Sequence, residues 1–206
     1  MALVKLNNRG VRSVSTFGSI SSLGTYTFIK KITASSSATV SFVDGTSDVV
    51  LDDTYKEYLF TFKDIHPATD STDFSFQGNV AGGSGYNETI TSTFFRSYHG
   101  EDGSSGTLSY YTTLDQAQGT GFQALCENVG NDNDAQLSGT LHLFNPSSTT
   151  FVKHFIARTV IYAESNFAVE NYIAGYFNTT SAIDEIQFKM DSGNIDAGDI
   201  CLYGIN

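Results

Sequence analysis

Apolar side chains in this sequence recur at every second residue, in short runs that end at clusters of Gly, Asn, Asp and Ser. A period of two puts alternate side chains on opposite faces of a strand, whereas a helix needs a period near 3.6. Tyr55–Phe62 (YKEYLFTF) shows the pattern: Tyr55, Glu57, Leu59 and Thr61 fall on one side, Lys56, Tyr58, Phe60 and Phe62 on the other. The same alternation predicts strands at Thr25–Thr33, Thr39–Val43, Phe74–Phe76, Glu88–Tyr98 and Gln136–Phe144. Phe151–Ala163, Val169–Phe177, Ile183–Met190 and Ile200–Ile205 complete a set of roughly ten. Ala34–Ala38 (ASSSA) reads as the turn between the first two. Ala81–Gly85, His99–Gly106 and Asn128–Asp134 read as exposed loops. The best helical stretch, Leu114–Asn128, is broken by Gly119 and Gly121.

Many short strands without intervening helices indicate an all-β sandwich or barrel. Residues 25–206 are too many for a seven-stranded module of about 100 residues. They suit a single jelly-roll-like antiparallel β-sandwich with added strands. No fixed-period repeat points to a propeller or solenoid. Residues 1–24 (MALVKLNNRGVRSVSTFGSISSLG) lack both periods and read as an extended N-terminal arm that orders only against a partner.

Charge divides the chain in the same way. No acidic residue precedes Asp44, whereas Lys5, Arg9, Arg12, Lys30 and Lys31 all do, so the head carries +5 and the remainder −16 within a net charge of −11. An acidic body repels phosphate, which excludes nucleic acid as the main partner. No apolar run approaches the roughly 18 residues of a membrane span, so no membrane partner is expected. The head has no apolar core of a secretory signal, and Gly10, Gly18 and Gly24 interrupt any amphipathic transit helix. The arm residues expected to dock on a partner are Leu3, Leu6 and Val11 through apolar burial, and Lys5, Arg9 and Arg12 through acidic groups. Cys126 and Cys201 sit in no CxxC or Cys/His cluster and read as small buried hydrophobes rather than a disulfide.

Catalytic patterns are absent from the sequence. His66, His99, His142 and His154 form no HxH or HExxH pair, and the serines near Gly82–Gly85 and Gly103–Gly106 lie in plain glycine loops without a nucleophile elbow. Asp184 and Glu185 are adjacent on a strand and therefore point to opposite faces, which does not suit paired-carboxylate hydrolysis. We therefore expect no enzyme and no cofactor. A structural calcium is the one ion considered, at Asn131–Asp134 (NDND) or Asp44–Asp48 (DGTSD), although neither follows the EF-hand pattern. Tyr98, Tyr110 and Tyr111 flank the His99–Gly106 loop and are the candidate contacts for a host surface glycan. Tyrosine, with its polar tip, equally suits a subunit interface.

The opening MALVKLNNRGVRSVSTFGSISSLG, the blocks TYTFIKKITASSSATVSFVDG and YKEYLFTFKDIHPATDSTDFSFQ, and the closing IDEIQFKMDSGNIDAGDICLYGI resemble virion structural proteins of tailed bacteriophages, particularly marine and cyanobacterial phages. The resemblance implies a jelly-roll-like module on the surface of the particle, as a tail or neck fibre component or a capsid decoration protein. It implies a homotrimer in contact with other virion proteins, with no enzymatic activity and no site residues to carry over. A carbohydrate-binding receptor-recognition module of the particle is the alternative expectation.

Overall fold

The structure is a computed structural model and describes residues 25–205. The arm 1–24, with its docking residues Leu3, Lys5, Leu6, Arg9, Val11 and Arg12, lies outside the described residues. Thirteen strands follow in chain order: β1 (Tyr26–Ser37), β2 (Val40–Val43), β3 (Glu57–Pro67), β4 (Phe74–Val80), β5 (Ile90–Gly100), β6 (Gly106–Tyr110), β7 (Ala117–Gly119), β8 (Gln123–Ala124), β9 (Leu137–Phe144), β10 (Lys153–Ala163), β11 (Phe167–Phe177), β12 (Ile183–Met190) and β13 (Ile195–Ile205). The described residues contain no helix.

The strands form two antiparallel sheets. The larger has the order β1-β13-β3-β9-β10-β11-β5-β6, with β7 also on β5, and the smaller has the order β2-β12-β4-β8. The result is an all-β, jelly-roll-like sandwich. Its core forms where alternate residues of both sheets meet. Tyr58, Phe60 and Phe62 of β3 and Phe155 of β10 are buried on the inner face of the large sheet. Phe60, Phe62 and Phe155 meet Phe42, Phe74, Phe76 and Phe188 of the small sheet edge to face, with centroids 5.3 Å apart for Phe42–Phe60 and 5.0 Å for Phe76–Phe155. Edge-to-face packing sets the positive rim of one ring against the negative face of the next, a gain beyond area burial alone.

Both surfaces of β4 are buried, so alternation disappears there and Ser75 and Gln77 lie inside with Phe74 and Phe76. Buried amides then act as ties. Gln77 Nε2 donates to the carbonyls of Glu88 at 3.0 Å and Gly121 at 2.8 Å. Gln123 Nε2 donates to the Leu114 carbonyl at 2.9 Å, while its Oε1 accepts from Ser92. These bonds hold residues 111–129, which contain only two short strands, against the inner face beyond the edge of the small sheet.

The strand expected at Thr25–Thr33 runs on to Ser37, so Ala34–Ala38 is not the turn between β1 and β2. The partner strand decides this: β13 sets Asp199 and Asp196 opposite, and they accept from the hydroxyls of Thr33 at 2.5 Å and Ser36 at 3.0 Å. Serines that read as a turn in isolation are paired here. Cys126 is buried, Cys201 is half-buried, and both are free thiols.

Candidate functional site

Two features of the sandwich can meet a partner: the outer face of the large sheet and a cleft at one end of its inner face. Cross-strand register defines the outer face. One row runs Phe28, Tyr203, Leu59, His142, Ile156 and Ala174. The next runs Lys31, Cys201, Thr61, Thr140, Arg158, Tyr172, Phe95 and Tyr110. The small sheet covers only the opposite side, so these side chains project outward. Of the eight large hydrophobic residues exposed among the described residues, seven lie on this face: Tyr26, Phe28, Phe95, Leu108, Tyr110, Ile156 and Val160. Phe151, in the β9–β10 loop, is the eighth. Leu108 is 69% exposed and Phe28 56%.

The strand-paired positions of this face are electrically balanced, with Asp115 beside Tyr110 lying outside them. Those positions carry Lys31, Lys63 and Arg158 against Glu57, Glu170 and Asp199. Lys31 Nζ lies 3.1 Å from Asp199, and Arg158 pairs with Glu170 while its guanidinium sits 5.3 Å from the Tyr172 ring centroid. The hydroxyl of Tyr172, followed by Arg158, holds the Glu170 carboxyl below its ordinary range. Thr33 and then Lys31 do the same for Asp199.

The cleft lies near the β10–β11 turn. Tyr98 and Phe167 form its aromatic wall, edge to face with centroids 5.4 Å apart, and Val169 forms part of its floor. Arg96, Glu127, Asn128, Glu164 and Ser165 supply its polar groups. Arg96 projects inward from β5 between two tyrosines, its guanidinium carbon 3.9 Å from the Tyr111 centroid and 5.6 Å from that of Tyr98. One terminal nitrogen pairs with Glu127 at 2.5 Å, and the other donates to the Tyr111 hydroxyl. Behind Glu127, burial pushes the Asp73 carboxyl up from 3.8 to about 6, against the backbone N–H of Asn128 that favours its charge.

This geometry divides the three tyrosines selected from the sequence. Tyr98 lines the cleft and Tyr111 stacks on Arg96, whereas Tyr110 points to the outer face, where its hydroxyl donates to Asp115. They are therefore not one contact patch: positions 110 and 98 project from opposite sides of one sheet. Sequence reading missed Arg96 and Glu127 because 31 positions separate them. In the candidate calcium loops, one Asp44 carboxylate oxygen accepts from the Leu51 N–H at 2.8 Å, and the Asp132 carbonyl lies 3.1 Å from His66 Nε2. Among the described residues no three His, Cys, Asp or Glu side chains converge as a metal site. No protein-family model, curated protein or solved structure matches the chain.

Proposed function

We propose that this chain is a non-enzymatic structural subunit of a bacteriophage particle, a fibre component or capsid decoration protein that assembles with further copies of itself through the outer face of the large sheet. The observation that carries the reading is the concentration of seven exposed large hydrophobic residues on one charge-balanced face. Three of the eleven basic residues lie in 1–24, so residues 25–206 hold eight against 22 acidic ones, a balance of −14. Two such bodies repel, and a neutral apolar face is where that repulsion is least and burial gains most. The tyrosine, phenylalanine and arginine on it are the types enriched at interface centres. In this reading a homotrimer buries the face. The arm then docks on other virion proteins through Leu3, Leu6 and Val11 and through Lys5, Arg9 and Arg12.

Sedimentation of the full chain tests the assembly. The expected species is a trimer that Phe28→Asp and Ile156→Asp each weaken at least tenfold, about 1.4 kcal/mol or more, with far-UV circular dichroism unchanged. A monomer at high micromolar concentration overturns the self-association. Absence of the protein from purified particles overturns the virion assignment.

A further inference from the structure

The cleft beside Arg96 has no part in that assembly, and the geometry points to a second role for it: a binding site for one neutral pyranose ring of a surface glycan. Its volume of about 230 Å³ lies below the roughly 300–1,000 Å³ of sites for drug-sized ligands, so it admits a single ring. The chemistry of the walls narrows the class. Tyr98 and Phe167 offer an apolar surface on which the C–H face of a sugar can lie. Arg96 and Glu127 offset each other, and the remaining Glu164 carboxylate disfavours an anion such as a phosphate or an acidic sugar. Acceptors at both carboxylates and an amide at Asn128 suit a ring that presents hydroxyls, which donate and accept at once. A purely apolar ligand would leave these polar groups desolvated without partners.

The site is also built rather than incidental. Arg96 is held by Glu127, by the Tyr111 hydroxyl and by the Tyr111 ring, and its Nε is buried with no partner among the described residues. Tyr111 is thus a positioning residue, Tyr98 a contact residue, and Tyr110 is excluded.

The test is a titration of the isotope-labelled full chain, followed by NMR, with the methyl glycosides of glucose, galactose, mannose and N-acetylglucosamine. Glucuronic and sialic acids serve as comparators. At least one neutral glycoside is expected to shift the Tyr98 and Phe167 resonances saturably with a millimolar Kd, about −4 kcal/mol, while the acids do not. Tyr98→Ala is expected to weaken that binding about tenfold. Glu164 lies on the rim in an exposed turn, so Glu164→Lys is expected to keep the fold and to admit glucuronic acid. Three outcomes overturn the proposal: no saturable shift from any neutral glycoside, shifts confined to the outer face, or acids binding the native chain as well as neutral sugars. Each leaves the sedimentation result untouched.

Discussion

At the scale of single residues, most of the polar chemistry inside this protein serves to fasten chain segments together. Gln77, Gln123 and Ser92 act this way, and Thr159 donates to the Leu125 carbonyl from β10. Asp73 is the exception with a pH signature. Its carboxyl is raised to about 6 in the native state, chiefly by burial, against 3.8 when unfolded. Below the unfolded value both states hold the proton and the native state bears no penalty. As pH rises through 6 the native group must ionise in partial burial, so its contribution to stability is lost across that interval and stays lost above it. Asp73→Asn keeps an acceptor for the Asn128 N–H and removes the charge. It is expected to raise stability above pH 7 by about 1 kcal/mol after allowance for solvent screening, with no gain at pH 4. Urea midpoints of both proteins between pH 4 and 8 check this.

At the scale of elements, strands were legible where one face is buried and the other wet. Ile183–Met190 has the bounds read from its alternation, and β10 differs by two residues, because single-sided burial writes period two into the sequence. β6, β7 and β8 were not legible: β6 offers only Leu108 and Tyr110, too few to mark a strand, β7 and β8 carry no apolar alternation, and their pairing is supplied by β5 and β4. Half of the cleft was legible. Tyr98 and Tyr111 stood out as aromatics, but only the β5–β6 register, which pairs Tyr110 with Phe95, sets Tyr110 on the face opposite Tyr98, and only the folded path of residues 111–129 brings Glu127 to Arg96. The last strand, β13, ends in the segment LYGI. Its Gly204 is where the Tyr55 ring packs directly on the backbone, so an added Cβ meets that ring. Gly204→Ala is expected to cost about 1–3 kcal/mol by overpacking, read as a lower urea midpoint, and Tyr55→Ala in the same chain should relieve part of that strain.

At the scale of the whole molecule, one continuous apolar cluster joins the two sheets, and both cysteines are free. Cooperative unfolding therefore involves no disulfide, and a reductant such as dithiothreitol is expected to leave the thermal midpoint unchanged; a drop of several degrees would reveal a cross-link between chains. The uneven distribution of charge has a further consequence for kinetics. Around a strongly anionic particle bearing one charge-balanced side, mutual repulsion acts as a torque that turns two approaching molecules until those sides confront each other. Dilute electrolyte would then slow their collisions yet make a larger fraction of them productive, whereas concentrated electrolyte would speed encounters and spoil their alignment.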